Sequence, residues 1–371
     1  RDRLRSRGLG DVYKRQTLAN YLDSKKYQVT LFDDPTGQAT KASAGIISPW
    51  LSKRRNKQWY RLAKDGAAFF PKLIQDFQLD HTIYQQSGTL LLRPEKQIVE
   101  LRALAEERKK SAPEIGTIKQ LTGEQTQQEL PLLKPLPALK ISGGGRLDGK
   151  AYLIRMRKLA QESGVKFISQ RVQLANIQSL TYGDNQAAFD QIILTVGPHL
   201  KGLLAPLNYQ VDLRPQKGQL LVFETAFNSS GNFPVAMLDG EADLIPFLNG
   251  KILLGATHEN EAAWDLAETP EAFEQLTNSA RDFLIDPEKL LTTPFHYRVG
   301  TRAYTSDYAP FFGQLDDHLL VASGLGSSGL TTGPYIGYLL AHYLNTGEAN
   351  WQVYQKELST YIQRKETPES D

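Results

Sequence analysis

Three observations predict an α/β fold that is discontinuous along the chain, with an antiparallel-sheet (α+β) domain inserted into it. Apolar, β-branched runs flanked by helical patterns recur at the start, middle and end: "YQVTLFDD" from Tyr27, "FDQIILTVGP" from Phe189, and "HLLVASGLGSSGLTTGPYIGYLLAHYL" from His318. Between the last two, residues 210–257 read as antiparallel strands, and Asn249-Gly250 suits the type I′ turn of a hairpin. The 371 residues exceed the size at which one core keeps growing, so two interleaved domains are expected.

Taken in order, Leu18, Ala19, Tyr21 and Leu22 give a helical face that ends before the 27–34 strand, half of a βαβ unit. The other half would precede it, yet "RDRLRSRGLGDVYKRQ" contains no apolar strand. A second helical pattern covers about 57–79, with Trp59, Leu62, Ala63, Phe70, Leu73, Ile74 and Phe77 on a broad apolar face. "GTLLLRP" then reads as a strand, and the charged, Gln- and Pro-rich stretch 95–137 as peripheral helices and loops. From Gly143, "GGGRLDGKAYLIRMRKLAQESGVKF" gives a glycine turn, a helix and a strand. The expected partition is 17–50, 143–205 and 298–350 for the parallel-sheet domain and 51–142 with 206–297 for the inserted one. Residues 351–371 are read as a tail.

Composition removes several function classes. Hydrophobic residues at 40% and charged residues at 23% describe a globular chain, and no apolar run approaches the roughly 18 residues of a membrane span. No secretory signal is visible, which makes the cytoplasm the expected location. With no cysteine, thiolate catalysis, zinc-thiolate sites and a cysteinyl cofactor link are excluded, and the six histidines show no metal-ligand spacing. The net charge of +2 hides six basic residues against Asp2 and Asp11 in residues 1–16; without that +4 the remainder is about −2. A nucleic-acid face needs a basic stripe in the folded body, and Lys53, Arg54, Arg55 and Lys57 form only a short cluster read as a solvated loop.

The residues that point to chemistry lie at strand ends. Asp33 stands where a doubly wound, Rossmann-like domain places an acid against an adenosine ribose, or else shapes a turn before Pro35. "GQATKASAGIISPW" is small and polar, so its backbone N–H groups suit a phosphate or a flavin ring. In "ASGLGSSGLTTGPYIGYLL", Gly324, Gly326 and Gly329 permit a tight path into a helix that Ser328 or Thr331 is placed to cap. The start of that helix would stabilise negative charge on a reduced flavin. In "HYRVGTRAYTSDYAPFFG", alternation puts His296, Arg298, Gly300 and Arg302 on one strand face. Arg298 and Arg302, roughly 13 Å apart at the rise of a strand, are too distant to share one carboxylate, though either suits one.

The stretches "VTLFD", "SAGIISP", "GGRLDGKAYL", "RPQKGQLLVFE", "GKILLGATHE", "RVGTRAYTSDYAPFFG" and "ASGLGSSGLTTGPYIGYLLA" resemble, in order over about residues 17–345, the FAD-dependent D-amino-acid oxidase family near its glycine oxidase and D-amino-acid dehydrogenase branches. The resemblance implies a non-covalently held FAD and oxidation of the C–N bond of a small amino acid or amine, of D-amino acid, glycine or sarcosine type. Hydride would pass to flavin N5 and then to oxygen, a quinone or another acceptor. It implies Asp33 at the ribose, Ser43, Ala44 and Gly45 against the cofactor, Val172 on the adenine side, Thr195 and Gly197 in a turn beside it, and Gly324, Gly326, Ser327, Ser328, Gly329, Leu330 and Thr331 at the flavin ring. Arg302 matches the arginine that holds the substrate carboxylate, with Arg298 and Asp243 completing the candidate substrate set. Such chemistry rests on orientation more than on acid–base groups.

Two departures stand out. Where relatives often have a tyrosine ahead of the proline of the "LIP" strand, this chain has Asp243 and Leu244 before Pro246. Aligning "TLANYL" with the family's first helix puts Gly10, Val12 and Arg15 where G-x-G-x-x-G belongs; read literally, Gly8 and Gly10 are followed by Tyr13. Val12 would block approach to the pyrophosphate and Arg15 would crowd helix against strand. Residues 1–16 are therefore expected to be a foreign or artefactual segment in place of the first strand and phosphate loop. A flavin-free binding protein and a flavoenzyme of larger amines, such as a modified nucleoside, are the competing readings.

Overall fold

The computed structural model describes residues 2–8, 12–34, 36, 39–240 and 242–365. Six strands form one sheet in the order Phe311–Asp316, Leu319–Ser323, Gln191–Leu194, Asp2–Gly8, Tyr27–Asp33, Lys166–Ile168. All neighbours pair in parallel except the outermost hairpin of Phe311–Asp316 with Leu319–Ser323. Helices Val12–Tyr21, Gly149–Glu162 and Gly329–Thr346 supply Leu18, Tyr152, Met156, Ile336 and Leu340 to a common core with Leu31, Ile193 and Leu320 of the sheet.

The strand Asp2–Gly8 corrects the expectation that the first strand is missing. It runs between its neighbours with Leu4 beside Gln191 and Val29, and pairs with Tyr27–Asp33 along its whole length. An extended segment between two strands satisfies backbone N–H and C=O groups on both sides whatever its side chains, and the absence of an apolar pattern does not prevent that. The following helix brings two cations into the interior. Lys14 and Arg15 are fully buried, Lys14 Nζ donating to the Ala322 carbonyl (3.1 Å) and Arg15 Nη1 to the Phe32 carbonyl (3.0 Å).

Eight strands form the second sheet, in the order Phe295–Tyr304, Arg214–Glu224, Lys251–Gly255, Asp243–Pro246, Val235–Met237, Thr89–Leu92, Ala138–Ile141, Ile118–Leu121. It is antiparallel apart from the Val235–Met237 pairing with Thr89–Leu92. Alternation sorts its faces: Leu221, Phe223 and Leu254 pack with Leu276 and Ala280 of helix Pro270–Arg281, while Leu220, Val222, Ile245 and Leu253 face Ala44 and Ile46. Asn249 (φ 58°) and Gly250 (φ 78°) make the hairpin turn, both left-handed as a type I′ turn requires. The strand Phe295–Tyr304 lies wholly in this sheet, across the boundary expected at 298.

The pattern over 57–79 divides into helices Lys57–Ala68 and Phe70–Phe77, because Pro71 opens the second with no N–H to continue the first. Within 95–137, helices Glu95–Lys109 and Gly123–Glu129 are accompanied by the edge strand Ile118–Leu121. Beyond residue 350 the chain contributes Ile362–Arg364, which pairs with Tyr209–Val211. Among the described residues no helix is long and apolar enough to cross a membrane, and no group of three metal-ligating side chains occurs.

Candidate active site

A cavity of about 330 Å³ opens where the 39–49 segment, the eight-stranded sheet and the 326–331 turn meet. Its anchor is Arg302, on strand Phe295–Tyr304 opposite Gln216. The Arg302 Nη1 donates to Gln216 Oε1 (3.1 Å) and to the Thr257 carbonyl (2.8 Å), and Gln216 Nε2 in turn donates to Asn260 Oδ1 (2.8 Å). Gly218, two residues along from Gln216, makes room for the guanidinium: a Cβ there would stand 2.6 Å from Arg302 Cζ. Beside the end of strand Phe295–Tyr304, Gly326, at φ 54°, turns the chain into helix Gly329–Thr346, and a Cβ at this position would fall on the Tyr304 ring. The glycines thus let backbone and guanidinium approach the space a planar ring system would fill.

Asp243 lines the same cavity. Burial pushes its carboxyl from an ordinary 3.8 up to about 7, against the opposing influence of the Leu238 N–H it accepts (3.1 Å) and of Arg93. Ser43, Ala44, Gly45, Gly326, Ser327, Ser328, Gly329, Leu330 and Thr331 line the cavity together with Asp243 and Arg302, so the sequence candidates for ring and substrate converge. The capping expectation is corrected: neither serine nor threonine caps the helix through its side chain. The Ser328 hydroxyl donates to the Leu325 carbonyl (3.0 Å) and accepts from Trp59 Nε1 (3.1 Å).

Arg298 is a second correction. It sits opposite Leu220 and does not line the cavity, nor does His296. The shared strand face predicted for them is reached by the cavity only at Gly300 and Arg302. Asp33, Val172, Thr195, Gly197 and Gly324 also lie outside it, near the ends of the parallel strands. Val172 packs with Phe32, Ile192 and Leu194, Thr195 is fully buried, and the Gly197 carbonyl accepts from Ser323 Oγ (2.8 Å). Asp33 is engaged: its Oδ1 lies 2.8 Å from Arg15 Nη2 in an ion pair. Arg15, expected to crowd the helix against its strand, reaches the end of that strand and pairs with the proposed ribose ligand. Gly10 and the side chains of Val12 and Tyr13 lie outside the described residues, as do Gly37 and Gln38.

Sequence reasoning missed Arg54, read with Lys53, Arg55 and Lys57 as a solvated loop, and gave Trp59 only a place on the apolar face of the following helix. Lys53, Arg55 and Lys57 are exposed, but Arg54 is half-buried at the cavity and Trp59 is buried. Asn56 caps helix Lys57–Ala68 by accepting from Trp59 N (2.9 Å), and the indole is held separately by its Nε1 bond to Ser328 Oγ (3.1 Å). The Arg54 guanidinium lies 4.6 Å from that ring and its Nη2 donates to Ser327 Oγ (3.0 Å). The one available signal was the spacing of Asn56 to Trp59, a cap followed by a large apolar residue.

A parallel sheet ending in glycine turns, joined to an antiparallel sheet that presents an arginine to a cavity, is the arrangement of a flavoprotein oxidoreductase. Comparison with known proteins agrees. The profile of the FAD dependent oxidoreductase (DAO) family matches residues 17–343, and the chain belongs to that family. It is 33% identical over 336 residues to the uncharacterized oxidoreductase YurR of Bacillus subtilis, covering 87% of this chain and 90% of that one. It is 24% identical over 326 residues to a glycine oxidase of Pseudomonas aeruginosa, covering 84% and 86%. Among solved structures, iminodiacetate oxidase from Chelativorans sp. BNC1 superposes with a TM-score of 0.86 at 27% identity, over 93% of this chain and 95% of that one. The protein is an FAD-dependent oxidoreductase of the D-amino-acid oxidase family. The ring end of the site fits that cofactor, with its glycine-lined walls and small residues; at the ribose end, Asp33 is bonded to Arg15.

Proposed function

We propose that the protein oxidises the C–N bond of a small amino acid, its α-carboxylate held by Arg302. The observation that carries this reading is a guanidinium presented to the cavity and fixed through Nη1 by Gln216 and the Thr257 carbonyl. An arginine oriented in advance loses little freedom on taking a carboxylate, and the paired hydrogen bonds set the direction of the Cα–N bond. Bound FAD supplies the two-electron acceptor for the substrate hydride. Ser43 to Gly45 and Gly326 to Thr331 would hold its ring, and Asp33 its ribose once released from Arg15. Asp243, poised near neutrality, suits the amine: its carboxylate form would accept a proton from an arriving ammonium, giving the neutral amine that yields hydride. Two electrons and a proton leave the substrate as C–N becomes C=N, water then hydrolyses the imine to a carbonyl compound and an amine, and oxygen or a quinone-type acceptor takes the electrons.

Arg302→Ala tests this reading in folded, flavin-loaded protein. Loss of a charge-assisted carboxylate contact is expected to cost about 2–4 kcal/mol, or about 30- to 900-fold in kcat/KM. The loss should appear with an amino acid and vanish with the matching amine that lacks a carboxylate. Unchanged kinetics with the amino acid would overturn the assignment.

A further inference from the structure

From the second arginine of the cavity we infer that the substrate carries two anionic arms: an N-carboxyalkyl amino acid, with its α-carboxylate on Arg302 and its N-linked carboxylate on Arg54. The inference rests on the reading of Arg302 given above and extends it to a second guanidinium lining the same cavity.

Arg54 has the properties of a recognition group. Its guanidinium is stacked on Trp59 and tied to Ser327, so its position is set before any ligand arrives. Among the described residues no carboxylate lies within ion-pair distance of it, although it is half-buried and lines the cavity. A cation that has given up part of its hydration without gaining a counter-ion gains most from an anionic ligand. Arg302 is anchored separately, on Gln216 and the Thr257 carbonyl, so the two guanidinium groups stand on different supports.

The cavity's surroundings favour a doubly charged ligand. A second cavity of about 620 Å³ adjoins the first, sharing Arg54, Trp59, His258 and Ser327 and adding Arg55. Its one carboxylate, Asp307, is already held by Lys356 (2.7 Å) and Tyr361 (3.0 Å). Asp243 is the one carboxylate of the first cavity, and burial raises it to about 7, so that it carries only part of a negative charge near neutral pH. Basic groups therefore outnumber available carboxylates along the path, which attracts anions into it. An apolar N-substituent would instead leave Arg54 desolvated and unpaired.

The test uses two unreactive analogues in which sulfur replaces the amine: thiodiacetate, with two carboxylates, and methylthioacetate, with one. Their binding to the flavin-loaded protein is followed by perturbation of the flavin absorption and by calorimetry. Arg54→Met keeps a stem against Trp59 and removes the charge. It is expected to weaken thiodiacetate by about 10- to 100-fold and to leave methylthioacetate within about twofold, as for one charge-assisted contact. Arg302→Ala is expected to weaken both. If Arg54→Met weakens both analogues equally or neither, Arg54 serves the cofactor or the fold and the inference is overturned. If Arg302→Ala weakens neither, the α-carboxylate reading fails, a result separate from the ratio that judges Arg54. Arg54→Lys, which keeps the charge, should restore part of the thiodiacetate affinity; no recovery in a folded variant also counts against the inference.

Discussion

Arg15→Gly should tighten FAD binding while loosening the fold. In the parent chain the fully buried guanidinium spends one nitrogen on the Phe32 carbonyl at 3.0 Å and another on Asp33 Oδ1 at 2.8 Å. Removing it leaves a void and costs the ion pair. The Asp33 side chain is 15% exposed and so is rehydrated in part, which places the loss at about 1–3 kcal/mol rather than at the upper limit for a buried pair. Without the Arg15 ion pair the carboxylate can accept from a ribose hydroxyl. A hydrogen bond to a charged group contributes about 1.5–3 kcal/mol, so FAD affinity should rise about 10- to 150-fold. Flavin fluorescence quenching gives the affinity, and a thermal melt without flavin gives the stability. Opposite signs in the two readouts identify competition for Asp33. A folded Arg15→Gly protein that binds FAD no better than its parent would refute the reasoning. Replacing residues 1–16 by an apolar strand ending in G-x-G-x-x-G should tighten binding further, because it also supplies backbone N–H groups to the pyrophosphate.

Asp243 predicts a pH dependence of stability. Its folded value of about 7 lies above the ordinary 3.8, so stability owed to the buried neutral carboxyl is complete below about pH 4, is lost as pH rises towards 7, and is level beyond. Asp243→Asn should flatten that slope in urea titrations run from pH 4 to 8, and an identical slope in the variant would show that Asp243 does not titrate as stated. Acid precipitation should release all flavin into the supernatant, since cysteine is absent and residues 43–45 and 324–331 contain no histidine. Colour retained in the pellet would direct attention to His258, which lines the cavity.

The parallel core was legible where local pattern and tertiary demand coincide: Tyr27–Asp33, Gln191–Leu194 and Leu319–Ser323 are apolar because both sheet faces are covered. Asn249-Gly250 was legible because few residue pairs accept two left-handed conformations in succession. The strand Asp2–Gly8 was not, since its place is specified by the free edges of its two neighbours rather than by its own residues. Alternation correctly joined Gly300 and Arg302 but included Arg298, because it specifies a face and not how far along that face a cavity extends. Arg54 was hidden for a related reason. Its three basic neighbours are exposed, and only the fold distinguishes the member that turns inward onto Trp59.

The ladder between Phe295–Tyr304 and Arg214–Glu224 runs unbroken from Arg214 opposite Tyr304 to Phe223 opposite Phe295. A slip of one residue anywhere along it would turn Arg302 to the other face. The orientation of the carboxylate anchor is thus a collective property of the whole ladder, whereas Arg54 stands outside any strand or helix, between Pro49 and the Asn56 cap. Insertions and exchanges in that loop leave the ladder register untouched. One end of the site is therefore built to stay constant while the other is free to be rewritten, so new substrates within this architecture can differ in what hangs from nitrogen while sharing the carboxylate that enters at Arg302.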